Sequence, residues 1–231
     1  MKKLGIFPLL FLLAGCTNST VLNPKSTTGK EQAFLIWFGL GIMLFVLVIV
    51  FFLLARVVIN YREKKNGLEE YRPKFISPKK QRKLELIWTI GPIVLLIILA
   101  IPTVSTGLKQ SPVAEAESTM DGVHIDVTAK QFEWTFIYET DKEKHNILLL
   151  PEGEPIILHL SSMDVIHSFW VPELAGKVDL VPGKPIVYRI ENPEIGVYKG
   201  KCAEYCGVQH ANMTFTVKVV AKEEFEEYIA K

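Results

Sequence analysis

Cys202-Ala203-Glu204-Tyr205-Cys206-Gly207-Val208-Gln209-His210-Ala211-Asn212-Met213 is the stretch on which the reading of this chain turns. Its spacing is C-x3-C-x3-H-x2-M, and strand-like segments flank it, Gly196–Lys199 before and Thr214–Val220 after. Four donors therefore share one loop between two strands. Thiolate, imidazole and thioether are soft or borderline ligands, and together they select copper over calcium, magnesium or manganese. Zinc accepts Cys and His but has no use for Met. A close cysteine pair outside a membrane usually forms a disulfide, which would leave the placing of His210 and Met213 without a reason. Covalent haem needs C-x-x-C-H, which the sequence lacks.

One Cys, one His and a weak axial Met are the loop ligands of mononuclear blue-copper sites. Here a second cysteine stands four residues ahead of Cys206. Two thiolates on one loop can bridge two copper ions, each of which then needs a terminal imidazole. His210 supplies one. His167 is the candidate for the other, because it lies in Asp164-Val165-Ile166-His167-Ser168-Phe169-Trp170-Val171-Pro172, an apolar setting where an unpartnered imidazole is costly to bury. His124, His145 and His159 have no such context and read as strand or turn residues.

Around this loop the C-terminal half reads as β structure. His124–Ala129 alternates, and Gln131–Phe136 continues the aromatic and β-branched bias. Turn signals at Asp141-Lys142, Pro151-Glu152-Gly153, Pro182-Gly183 and Asn192-Pro193 separate further short strands at Asn146–Leu150, Ile156–Ser161 and Pro185–Ile190. Regular short strands predict a sandwich or Greek-key barrel. From Glu115 onward there are 11 Lys and Arg against 20 Asp and Glu, a balance of −9 hidden in an overall +1. That excess argues against a nucleic-acid partner and would speed encounter with a basic protein.

The N-terminal half carries two long apolar runs, Ala33–Ala55 and Leu84–Val104, each long enough for a bilayer core of roughly 30 Å. Between them, Arg56–Lys83 has ten Lys and Arg and three Glu, which places this loop in the cytoplasm and both flanks outside. Ahead of them, Met1-Lys2-Lys3, an apolar stretch and Leu13-Ala14-Gly15-Cys16 resemble a lipoprotein signal ending in a lipobox. Lipidation at Cys16 accounts for the odd one of three cysteines and demands the same orientation. The expected boundaries are a signal peptide at 1–15, an external segment at 16–32 and membrane helices at 33–58 and 84–106. They surround a cytoplasmic basic loop, 59–83. A linker at 107–120, a β domain at 121–221 and a short helical tail at 222–231 follow.

Taken together these segments resemble subunit II of cytochrome c oxidases of the haem–copper family. The resemblance rests on the Cys202–Met213 loop, on Val165–Leu174 around His167, on Asp179 with Pro182-Gly183, and on Glu85-Leu86-Ile87-Trp88-Thr89-Ile90-Gly91-Pro92 at the start of the second apolar run. It implies a two-helix transmembrane hairpin followed by an all-β cupredoxin-like Greek-key barrel on the outer face of a bacterial cell membrane. It implies a binuclear copper (CuA) centre bridged by Cys202 and Cys206, with His167 and His210 as terminal ligands. Met213 and the Glu204 carbonyl would be weak axial ligands. The Glu204 side chain would face a magnesium ion at the interface with the catalytic subunit I.

The electron donor implied is cytochrome c. Haem, the oxygen chemistry and all catalytic residues would lie in partner subunits. Some bacterial relatives carry a fused haem c domain after the barrel; this sequence does not, so a separate cytochrome is expected. Where relatives have a tryptophan for receiving electrons, this sequence has Phe132, with Trp134 two residues on, and both are candidates for that role and for docking. The quinol-oxidase form of the subunit keeps the fold and lacks the copper ligands. A membrane-tethered copper chaperone is a rival of another class, and His210, Met213 and the oxidase-like helices argue against it.

Overall fold

The computed structural model of the chain describes residues 20–61, 75–114, 120–140 and 142–230. The expected signal peptide and Cys16 lie outside them, as do most of the basic loop and residues 115–119 of the linker. The described residues fall into two units, an apolar helical unit over 34–109 and a β unit formed by the remainder.

The helical unit comes from α1 (Thr27–Tyr61) and α2 (Pro78–Gln110), each with a stretch long and apolar enough to cross a membrane. At 1.5 Å per residue either helix is about 50 Å long, well beyond a bilayer core of about 30 Å. The excess is polar. Each helix runs past its apolar stretch, α1 through Thr27–Gln32 and α2 through a first turn bearing Lys79, Lys80, Arg82 and Lys83. A helix apolar on every side belongs in a membrane or a deep core. No residue of these apolar windows is buried. Pro78 opens α2 at the position where proline costs no hydrogen bond, and the Ser77 carbonyl accepts from Lys80 and Gln81 N–H at 2.9 and 3.0 Å. Pro92 and Pro102 lie inside α2, and next to Pro102 the Thr103 hydroxyl donates to the Leu99 carbonyl at 2.8 Å.

The β unit is a cupredoxin-like barrel of two sheets. One has the order β1 (Val113–Ala114), β9 (Ile186–Ile190), β6 (Ile156–Ser162), β2 (Val123–Lys130), β3 (Glu133–Tyr138), β4 (Glu143–His145). The other runs β5 (Ile147–Pro151), β11 (Thr214–Val220), β10 (Gly196–Cys202), β7 (His167–Trp170), β8 (Val178–Leu180). Neighbours are mostly antiparallel, but β2 pairs β6 and β5 pairs β11 in parallel. Alternation in β3 and β11 sends Trp134, Phe136, Phe215 and Val217 inward, as period-two sheet geometry requires. The helix α3 (Lys222–Ala230) closes the far side by setting Phe225 and Tyr228 against Tyr138.

Two elements depart from the sequence reading. The segment around His167, not among the strands expected from sequence, forms one: His167 opens β7, whose partners are β8 and the end of β10. Strand β10 also continues past Lys199 to Cys202, because Lys201 and Cys202 pair with Trp170 and Phe169. Beyond the membrane stretch, the polar first turn of α1 belongs to the β unit. Ser26 caps it by accepting from Gly29 N–H at 2.9 Å and donates its hydroxyl to the Leu174 carbonyl. Thr28 Oγ1 accepts from Glu191 N–H at 2.9 Å.

An aromatic cluster forms the core below β7 and β10. The Phe215 ring lies 5.0 Å from Phe169, 5.2 Å from Trp134 and 5.4 Å from Phe136. Such pairs contribute about 0.5–1.5 kcal/mol each beyond area burial. Gly200 is the Cα partner of Phe215, and a Cβ there would lie 2.1 Å from its ring. Gly200→Ala is therefore expected to destabilise the barrel by about 1–3 kcal/mol. Thermal unfolding would show it as a Tm lower by roughly 4–8 °C per kcal/mol, whereas Lys199→Ala, exposed on the same strand, should leave Tm nearly unchanged.

Candidate metal centre

Three strand ends bring the donors together. His167 begins β7, Cys202 ends β10, and Met213 immediately precedes β11. The loop between Cys202 and Met213 is closed at its base by Cys202 N–H donating to the Met213 carbonyl at 2.9 Å. It is tied to β7 by Ala203 N–H donating to the Ser168 carbonyl at 3.0 Å. A single 3-10 turn, His210–Asn212, then returns the chain to β11.

Inside this frame the Cys202 and Cys206 sulfurs stand 3.8 Å apart as free, buried thiols. His167 Nδ1 lies 3.8 Å from Cys202 Sγ, and His210 Nδ1 lies 3.7 Å from Cys206 Sγ. Met213 Sδ is 3.7 Å from Cys206 Sγ, and the Glu204 carbonyl oxygen is 3.2 Å from Cys202 Sγ. Of the six positions expected from sequence, the two cysteines face each other and each of the other four has an atom within 3.8 Å of one of their sulfurs. The Glu204 side chain takes a separate course: half-exposed, it stands 3.6 Å from Lys177 Nζ, which also reaches Asp179 at 3.1 Å.

The donors fit a soft cation on chemical grounds. At transition-metal–thiolate bonds of about 2.3 Å, sulfurs 3.8 Å apart can bond to the same ion. Burial pushes the Cys206 thiol up to about 11, and the neighbouring Cys202 sulfur adds to the shift. Two thiolates facing each other in an apolar pocket repel; a cation between them removes that cost. His167, Cys202 and Cys206 form the only cluster of three such ligand atoms within 4.8 Å among the described residues.

The structure also shows two residues that the sequence reading passed over. Asp164 Oδ1 accepts from His167 Nε2–H at 2.8 Å and from Val165 N–H at 2.7 Å, and Oδ2 accepts from Gln131 N–H at 2.7 Å. Burial works against the charged carboxylate, but these three donors outweigh it and hold Asp164 below the usual carboxylate range. The Gln131 side chain donates to the Cys206 carbonyl at 2.6 Å. Asp164 was findable, since a metal-binding histidine normally gives its second N–H to a carboxylate or carbonyl. No local signal marks Gln131.

Phe132 and Trp134 part company. Trp134 is fully buried, its ring centroid 6.2 Å from that of His167, and it presents no surface for docking. Phe132 is half-buried and lies over Gly207. Gly207 has φ +137°, and a Cβ there would stand 2.9 Å from Gln131 Nε2 and 3.1 Å from the Phe132 ring. Gly207→Ala is therefore expected to disturb the loop without unfolding the sheets. Copper bound per chain should fall while the far-ultraviolet β signal persists; unchanged copper content would show that the loop tolerates the side chain.

Two family signatures match the chain: "Cytochrome C oxidase subunit II, periplasmic domain" over residues 125–220 and "Cytochrome C oxidase subunit II, transmembrane domain" over residues 21–106. Among similar proteins, the quinol oxidase subunit 2 of Bacillus spizizenii is 32% identical over 99% of this chain and 71% of that protein. The cytochrome c oxidase subunit 2 of Alkalihalophilus pseudofirmus is 37% identical over 96% of this chain and 66% of that protein. The crystal structure of the periplasmic domain of subunit II of the Bradyrhizobium japonicum cytochrome oxidase aligns with a TM-score of 0.46 and 25% identity. That alignment covers 49% of this chain and 95% of the other.

Proposed function

The chain belongs to the cytochrome c oxidase subunit II family, and we propose that it is the copper-carrying form, which takes electrons from cytochrome c and passes them to the haem–copper catalytic subunit for reduction of oxygen to water. The observation that carries this reading is the pair of facing thiols with soft donors beside them: His167 by Cys202, and His210 and Met213 by Cys206. A quinol donor gives no reason for keeping two buried thiols face to face. The second reading, a quinol-oxidase subunit, draws its support from the Bacillus spizizenii relative of that name.

In this proposal Cys202, Cys206, His167 and His210 would hold the copper, with Met213 and the Glu204 carbonyl as weaker donors. When bound, a copper pair shares one electron over both metals, so transfer reorganises little. The protein's part is to hold the ligands and keep water out, with the Trp134, Phe169 and Phe215 rings as an apolar floor. On the outer rim Val208 is 92% exposed, Tyr205 74% and Met163 72%, with Phe132 close by. Large apolar side chains left in water around a redox site suit transient docking of another protein. The −9 balance of residues 115–231 would steer a basic cytochrome toward it. The Glu204 carboxylate is the ligand this chain would offer to a magnesium ion shared with the catalytic subunit, in exchange for Lys177.

The expected orientation puts the β unit on the outer face, following the basic residues at the start of α2 and the Arg56–Lys83 loop. Protease added to intact spheroplasts should then remove the barrel and spare the loop, and mass measurement of the N-terminal fragment would show a diacylglyceryl group on Cys16. Cleavage of the loop alone would reverse the topology.

The decisive experiment is on the purified oxidase complex, by copper analysis, EPR and turnover with each donor. A copper pair sharing one electron yields a seven-line hyperfine pattern, and Cys206→Ser should reduce it to four lines or none. Reduced cytochrome c should support oxygen uptake at a rate that falls as ionic strength rises through about 0.15 M. Oxygen uptake with quinol alone and no copper in this subunit would favour the quinol reading.

A further inference from the structure

The β2–β3 turn touches both segments that carry the metal ligands, although it contributes no ligand itself. Its residue Gln131 uses two different donors. The backbone N–H goes to Asp164 Oδ2 at 2.7 Å, and the side-chain amide goes to the Cys206 carbonyl at 2.6 Å. Asp164 in turn receives the Nε2–H of His167 at 2.8 Å. One turn thus connects the first histidine segment, Asp164–His167, with the thiol loop, Cys202–Met213.

We propose that Asp164 and Gln131 are positioning residues for the copper centre: Asp164 sets the tautomer and ring direction of His167, and Gln131 locks Asp164 and the Cys206 peptide into one frame. This rests on the two-copper reading above. A neutral imidazole carries one N–H and one lone pair, and which nitrogen holds which depends on the partner of the N–H. With Nε2–H committed to a carboxylate, the lone pair sits on Nδ1, the atom 3.8 Å from Cys202 Sγ. His167 is fully buried, so no solvent water competes for either nitrogen. The carboxylate itself has little freedom, because Val165 N–H fixes one oxygen and Gln131 N–H the other.

At the thiol loop a carbonyl between Cys206 and Gly207 could turn to face either side. The Gln131 amide holds it, and Gly207 lets the amide in, since a Cβ there would meet Gln131 Nε2 at 2.9 Å. Asp164, Gln131 and Gly207 therefore fit one another across three separate segments of chain. Partners of this kind orient metal-binding side chains, and their loss typically lowers metal affinity about 10–100-fold.

The test uses the full chain in its oxidase complex, with Asp164→Asn, Asp164→Ala, Gln131→Glu and Gln131→Leu. Absence of copper from the unaltered complex would overturn the two-copper reading and this proposal with it. Where the unaltered complex holds two coppers, release of copper to a chelator should be at least about tenfold faster in Asp164→Ala and Gln131→Leu. Pulsed EPR reads the quadrupole coupling of the remote ring nitrogen, which senses the hydrogen bond at His167 Nε2. It should change in both Asp164 variants and the seven-line splitting should change in both Gln131 variants. The near-isosteric Asp164→Asn and Gln131→Glu keep side-chain volume, so they report on positioning even where the larger truncations unfold. If these two fold with the Tm of the unaltered chain and keep its release rate, splitting and remote-nitrogen signal, the positioning role is wrong.

Discussion

Two backbone hydrogen bonds at the base of the thiol loop set the terms for the rest of the β unit. Cys202 N–H to the Met213 carbonyl, at 2.9 Å, makes the loop a closed hairpin end; Ala203 N–H to the Ser168 carbonyl, at 3.0 Å, ties that end to β7. They hold only while β10 keeps its register with both neighbours, Gly200 opposite Phe215 and Cys202 opposite Phe169. A slip of one residue would turn every β10 side chain to the other face. Cys202 would leave the pocket and Gly200 would no longer make room for the Phe215 ring. The aromatic core and the ligand set are thus two consequences of one register.

That coupling explains the division of labour between rigid and exposed parts. Beneath the sulfurs, Trp134 meets Phe169 edge to face and Phe215 at a tilt, while the Phe169 and Phe215 rings stack, giving the ligands a rigid aromatic floor. Above them, Val208 and Tyr205 stand in solvent, on the same loop and within two residues of the thiol of Cys206. The proposed electron relay needs both conditions, a site whose ligands move little and a surface near enough for electrons to arrive. The loop is short, so the two requirements meet within a dozen residues.

The first turn of α1 belongs to the same logic at the other end of the β unit. Ser26, Thr27 and Thr28 are stitched to Leu174 and Glu191, residues that follow β7 and β9. Chain separated by about 150 positions is joined by hydrogen bonds among backbone groups and hydroxyls. Polar stitching suits a segment next to a membrane span, where apolar surface is already committed to lipid.

Much of this was legible in the sequence because it is local. Two apolar runs, a basic loop between them and the C-x3-C-x3-H-x2-M spacing each lie within a few tens of residues, and periodicity or ligand chemistry identifies them directly. His167 could be chosen from its apolar surroundings. A β sandwich or barrel followed from strand spacing and its cupredoxin-like form from the family resemblance, although β7, β8 and the last residues of β10 did not, since they are strands only by virtue of what they pair with. The sequence likewise left both Phe132 and Trp134 as candidates; Trp134 lies on the inward face of β3 and is fully buried, whereas Phe132 precedes β3, in the β2–β3 turn, and stays half-buried. Asp164 and Gln131 are 33 positions apart, and Gln131 and Cys206 are 75 apart. Composition and spacing alone determined which donors exist and which segments are apolar enough for a membrane. Tertiary structure alone decided which donors stand beside the two sulfurs and what braces them, because those contacts depend on strand register and loop closure across distant parts of the chain.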